Sequence, residues 1–199
     1  MPTGVKYIPT KFHSSCLEVD LGAIGKGYAV DRAAAVLRSC GIERAMINSG
    51  GSTFYGMGSP PGQSGWLVHL RDPSAYLDPH VLLRENSVST SEQTPPSLLG
   101  MSSFGHIIDT AAGAPLKTPI TVSVVAETAT ASDALSTALL LMGPAKSRDL
   151  VKRLQNVAAV WVSPEGPPET VTRGPEILMK SVARMSASKA VRGNPTSLE

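Results

Sequence analysis

The chain of 199 residues carries 18 Lys and Arg against 16 Asp and Glu, a formal net charge of +2, with 42% hydrophobic and 5% aromatic residues. That length suits one globular domain burying roughly 70% of its unfolded surface, and the apolar content excludes disorder throughout. Charges of both signs are scattered with no basic stripe, which excludes nucleic acid as a main partner. The absence of an 18-residue apolar run or a signal-type leader predicts a chain soluble as given, without direct membrane insertion.

Gly and Pro number 18 and 16, a turn-rich composition that predicts many short strands and a few helices. Residues 26–40 are Ala-rich, with Val30, Ala33, Ala34 and Leu37 at helical spacing, and Gly41 follows as a stop signal; this predicts a helix. Residues 45–48 form a short apolar run ending in Ser-Gly-Gly, and residues 66–72 alternate Trp66, Val68 and Leu70 with His69 and Arg71, so both read as strands. Further strands are expected at 81–83, 87–90, 106–108 and 120–126, the last rich in β-branched residues. Residues 130–142 return to helical spacing through Ala134, Leu135, Ala138 and Leu141, and Gly143-Pro144 ends that helix. A third, amphipathic helix is expected over about 145–155, then strands near 158–162 and 169–172. From about Arg184 the composition is that of a solvated tail, so residues 1–183 are taken as the domain and 184–199 as a disordered tail. The order of elements predicts an α+β fold with mixed or antiparallel sheet layers packed with about three helices. Cys16 and Cys40 match no disulfide framework or CxxC motif, and His13, His69, His80 and His106 share no zinc-ligand spacing.

Five short stretches carry chemistry. Gly22, Gly25 and Gly27 strip side chains from the start of the first helix, where free N–H groups and the dipole attract anions and Lys26 adds a full charge. The stretch is either a phosphate-binding loop or only a tight strand-to-helix turn; it is not a P-loop, with Asp20 and Gly27 where that motif needs Gly and Ser or Thr. Asn48-Ser-Gly-Gly is a second Gly-rich turn, either a hairpin or a close approach of backbone to a ligand. Thr90 and Ser91 read as a cap, a loop pair or a ligand contact. His106-Ile-Ile-Asp109 offers two titratable groups, though a lone His beside a strand is ordinarily structural. Asp133 and Thr137 stand four apart on one helix face, where hard oxygens suit Mg²⁺ bridging phosphates, unless Asp133 merely complements the dipole and Thr137 packs.

The stretches DLGAIGKGYAVDRAA (20–34), NSGG (48–51), SVSTSE (87–92), HIIDTAAGAP (106–115) and SVVAETATASDALSTALLLMG (123–143), in that order and spanning most of residues 17–163, resemble the ApbE family of FAD:protein FMN transferases. The resemblance implies an ApbE-like, T-fold-like domain, incomplete at its N-terminus because only 19 residues precede Asp20. It implies an enzyme that uses Mg²⁺ and FAD to place FMN on a Thr or Ser hydroxyl of a target flavoprotein, releasing AMP. It assigns the metal to Asp133, Thr137 and a main-chain oxygen of Ala23. The nucleotide pocket falls to Lys26, Gly27, Asn48, Gly50, Gly51, Thr90, Ser91, His106 and Ile107, and His106 or Asp109 is the catalytic base. A non-catalytic FAD- or nucleotide-binding module, or an FAD pyrophosphatase, is the alternative expectation. Bacterial members of the family are often exported lipoproteins. The chain departs from the family pattern at Glu92, Thr110 and Ala112.

Overall fold

The computed structural model describes residues 11, 13, 16, 18–72, 77–93, 107–110, 112–116, 119–164 and 166–181. The first helix, α1 (Gly25–Ser39), forms as its Ala-rich sequence predicts, burying Val30 and Ala34 one turn apart. It ends at Gly41, whose φ of +77° few other residues adopt. There the Gly41 N–H donates to Arg38 O and the Ile42 N–H to Leu37 O, the paired bonds that satisfy the last carbonyls of a helix. Two strands follow as a hairpin, β1 (Ala45–Ser49) and β2 (Thr53–Met57), then β3 (Trp66–His69), β4 (Leu77–Leu83) and β5 (Asn86–Gln93). A two-stranded ribbon, β6 (Ile108–Asp109) and β7 (Ala114–Pro115), leads to β8 (Ile120–Ala126). Helix α2 (Ala129–Arg153) and strands β9 (Val157–Val162), β10 (Glu169–Arg173) and β11 (Leu178–Ser181) complete the order.

Three layers result. The central sheet has the order β1-β2-β5-β8-β9-β10, and β11-β4-β3 form a second sheet. Every strand pairing among the described residues is antiparallel, which narrows the expected mixed or antiparallel arrangement to the second. Alternation along β8 and β9 sends side chains to opposite faces. Val122, Val124, Ala159 and Trp161 pack with Leu139 and Leu140 of α2, whereas Val125, Ala158, Val160 and Val162 pack with Val68, Val81 and Leu83 of the second sheet. Val30 and Ala34 of α1 close on Tyr55 and Met57 of β2.

Among the described residues two helices are found where about three were expected. The expected stop at Gly143-Pro144 is a kink, with Gly143 at φ +71° and ψ +165°, and the helix resumes at once, so the second and third expected helices are two limbs of α2. The Ser147 hydroxyl and the Trp161 indole N–H both donate to the Leu139 carbonyl, drawing the limbs and β9 together. Strands β2, β7 and β11 were not anticipated. β2 contains Gly56 and buries Tyr55, Gly56 and Met57 in succession, so it lacks the alternation by which half-buried strands are recognised. The expected strand at 106–108 begins at Ile108; His106 and the tail 184–199 lie outside the described residues.

Candidate functional site

The site grows from a crossing of the two helices at Gly27. A Cβ at that position would lie 2.2 Å from the Ala129 carbonyl oxygen and 2.8 Å from Asp133 Cβ, so only glycine permits this approach. Gly27 is the third residue of α1, and first-turn N–H groups have no acceptor within their own helix. Its N–H donates to Asp133 Oδ2 at 2.9 Å, across 106 residues of sequence. Asp133 is 3% exposed, and its other oxygen, Oδ1, faces the Lys26 ammonium at 3.7 Å. The Lys26 side chain is 43% exposed, so the cation is reachable from solvent while the carboxylate is not.

One turn further along α2, the Thr137 hydroxyl lies 3.0 Å from Ser91 Oγ of β5, which also lies 2.7 Å from Ser136 Oγ. Ser136 in turn donates to the main-chain oxygen of Asp133 at 2.9 Å. The same seam continues inward through Ser132, whose hydroxyl meets Ser87 at 2.9 Å and Ser89 at 3.0 Å, while Ser89 donates to Thr53. Buried hydroxyls thus pair with one another between helix and sheet, as buried polar groups must.

Asp31 completes the crossing. Four residues after Gly27, it lies on the same face of α1, and its carboxylate accepts the N–H groups of Ala129 and Thr130 at 2.8 and 2.9 Å and the Thr130 hydroxyl. A carboxylate on α1 therefore caps the positive end of α2, alongside the Thr128 side chain that accepts from the Ala131 N–H at 3.1 Å. Sequence reasoning gave Asp31 no role. The four-residue spacing to Gly27 is the signal that could have found it.

The structure joins Lys26, Gly27, Asp133, Thr137 and Ser91 in one hydrogen-bonded and ion-paired group. Ala23 lies in the exposed turn directly before α1, two residues after Leu21, whose carbonyl accepts the Ile24 and Gly25 N–H groups. Asn48 spends its side-chain oxygen on the Gly51 N–H at 2.9 Å, holding the β1–β2 turn in which Gly50 and Gly51 take φ of +63° and +70°. Thr90 points from β5 to the face opposite Ser91, where its hydroxyl meets Ser123 at 2.8 Å; Glu92, on that same face, pairs with Arg71. Ile107 packs its side chain in the core beneath α2. Asp109 lies in the β6–β7 hairpin, with Oδ1 accepting the Ala112 N–H at 3.4 Å and its main-chain oxygen the Gly113 N–H at 2.7 Å.

The donor chemistry at the crossing fits a hard divalent cation. One oxygen of a buried carboxylate faces a cation already, and a hydroxyl follows one turn on. Among the described residues no cluster of three or more His, Cys, Asp or Glu side chains offers a nitrogen- or sulfur-rich alternative.

The far end of α1 is braced by a second polar group. The Arg38 guanidinium donates to the Tyr55 hydroxyl at 2.9 Å and to Glu85, and Glu85 also accepts the Gly58 N–H at 2.6 Å. Burial works to raise the Glu85 carboxyl, but the Gly58 amide and Arg38 outweigh it and hold it below the usual range. Burial raises Tyr55 in spite of Arg38.

The ApbE family model matches residues 4–161. FAD:protein FMN transferase of Escherichia coli strain K12 is 30% identical over 159 residues, covering 75% of this chain and 44% of that protein. The FAD:protein FMN transferase of Treponema pallidum strain Nichols is 31% identical over 162 residues, with the same coverages. Among solved structures, the ApbE protein of Thermotoga maritima superposes with a TM-score of 0.64 at 27% identity, over 77% of this chain and 51% of that one. The apo flavinyl transferase ApbE of Pseudomonas stutzeri gives 0.65 at 26% identity, over 78% and 49%. The chain thus spans about half the length of these relatives.

Proposed function

The chain belongs to the ApbE family, and on that footing we propose that it serves Mg²⁺-dependent transfer of FMN from FAD to a Thr or Ser hydroxyl of a target flavoprotein, with release of AMP. The observation that carries the reading is the buried Asp133 carboxylate, held by the Gly27 N–H on one oxygen and facing a partly exposed Lys26 on the other. Flavin transfer is the activity named for the relatives of Escherichia coli and Treponema pallidum.

In this reading Asp133 and Thr137 hold the metal, with a main-chain oxygen of Ala23. A divalent ion held there would supply positive charge to neutralise the pyrophosphate during transfer. Lys26, at the positive end of the α1 dipole, binds and orients the phosphates. Ser91 fixes the Thr137 hydroxyl, and Ser136 fixes the Asp133 main chain. The Asn48–Gly51 turn lines the nucleotide pocket, and His106 or Asp109 takes the proton of the attacking hydroxyl.

The test is mass spectrometry of a Thr-containing acceptor flavoprotein incubated with the chain, FAD and Mg²⁺. An FMN-sized adduct on the acceptor with stoichiometric AMP is the expected result. AMP without adduct identifies hydrolysis, and bound FAD without AMP identifies a binding module; either overturns the transferase reading. Asp133→Asn, which keeps shape and removes charge, should abolish Mg²⁺-dependent turnover with an unchanged circular dichroism spectrum, whereas Thr137→Val should be milder.

A further inference from the structure

We propose that Lys26 is a counter-ion shared between the metal site and the substrate phosphates, resting on Asp133 when no metal is bound and released toward the phosphates when metal arrives. The proposal deepens the functional reading above and rests on it. It begins with an electrostatic necessity: a buried carboxylate without a compensating charge is strongly disfavoured. Asp133 has one oxygen committed to the Gly27 N–H, and the cation facing the other is Lys26, at 3.7 Å. That separation is beyond hydrogen-bond reach, so the ammonium serves as a charge near the carboxylate without the tight geometry that would lock it there.

The two side chains differ in freedom. Asp133 is fixed by the crossing of α1 and α2, where Gly27, Ala129 and Asp133 are in closest approach. Lys26 projects from the first turn of α1 on a flexible four-carbon stem and is 43% exposed. A divalent ion on Asp133 Oδ1 provides more charge than the ammonium and repels it, so the lysine is the group that moves. Its anchorage on the first turn of α1 keeps it at the positive end of that helix dipole, where an anion is favoured, once released.

The consequence is coupling. Metal binding alone must displace Lys26 from the carboxylate, and anion binding alone must draw Lys26 away and leave Asp133 uncompensated. When both bind, the displacement occurs once, so each ligand favours the other, and linkage makes the effect reciprocal. Lys26 therefore weakens binding of metal alone while strengthening binding of nucleotide in its presence.

The experiment measures Mn²⁺ binding by electron paramagnetic resonance in the full chain, Lys26→Met and Asp133→Asn, without nucleotide. Amine acylation at Lys26 is followed in parallel by peptide mass spectrometry, with and without Mg²⁺. Lys26→Met should bind Mn²⁺ on the order of tenfold more tightly than the native chain, the scale on which a nearby charge alters proton affinity at a carboxylate. In the native chain Mg²⁺ should raise Lys26 acylation severalfold, and Asp133→Asn should show high acylation regardless of Mg²⁺. Equal or weaker Mn²⁺ binding by folded Lys26→Met, or acylation indifferent to Mg²⁺, overturns the shared counter-ion and leaves the metal site standing. Failure of the native chain to bind Mn²⁺ overturns both this proposal and the metal-dependent reading beneath it. Lys26→Gln, also checked by circular dichroism, gives the same comparison if the Met variant does not fold.

Discussion

A single missing methyl sets the geometry of the candidate site. Gly27→Ala places a carbon 2.2 Å from the Ala129 oxygen, a backbone atom that cannot rotate away, so the helices must separate. The expected loss of stability is about 3 kcal/mol by urea unfolding, at the upper end of ordinary overpacking, and Mn²⁺ affinity should fall with it. Unchanged unfolding in this variant would mean that the helices are not in contact there. Glu85 makes a different prediction, through pH. Its carboxyl is held below the usual range, so its contribution to stability is full above the unfolded value near 4.5 and is lost as pH falls through the lower folded value. The melting temperature of Glu85→Gln should therefore lie below that of the native chain at neutral pH and converge with it in that acidic window. With the side chain about half exposed, the gap should be modest, and a gap that persists at pH 2 would assign the effect to shape instead of charge.

Between α1 and α2 the carboxylate of Asp31, accepting from the Ala129 and Thr130 N–H groups, acts as a brace that neither helix supplies to itself. Removing it in Asp31→Ala leaves two N–H groups at the start of α2 without their carboxylate, for an expected loss of about 1–2 kcal/mol by chemical denaturation. Asp31→Asn should recover part of that loss; if it recovers none and Asp31→Ala costs nothing, the cap carries no weight. Helix α1 was readable from its Ala-rich run and from Gly41 because a helix start, face and stop are local signals. Asp133 and Thr137 were readable as a pair for the same reason, being four apart on one helix. The partnership of Asp133 with Gly27 was not, since it joins residues 106 apart and depends on how two helices cross. The hydroxyl seam was not read from the sequence: Ser87, Ser89 and Ser91 alternate at strand period and Ser132 and Ser136 repeat at helix period, but serine in a strand reads as solvent-facing until a partner helix is known. The expected stop at Gly143-Pro144 is a kink instead, because a local break in helical geometry does not say whether the chain then ends or resumes as a second limb.

At the scale of the whole molecule, β8 and β9 give one face to the helices and the other to the second sheet, so neither outer layer has a core of its own. Unfolding should accordingly be a single transition. The two tryptophans test this, because the Trp161 indole bonds to Leu139 on the helix side and the Trp66 indole to Met57 O at 3.1 Å near the second sheet. Fluorescence-detected urea midpoints of Trp66→Phe and Trp161→Phe, each corrected against far-ultraviolet dichroism of the same variant, should coincide with that dichroism; separated midpoints would show that the layers melt independently. The span from Gly27 to Asp133 has one more consequence, in time. At about 5–20 residues per second, a ribosome needs roughly 5–20 s to travel from one residue to the other. Throughout that interval the nascent chain holds Lys26 and the first turn of α1 without Asp133, so the crossing that joins them forms only after the start of α2 has left the exit tunnel.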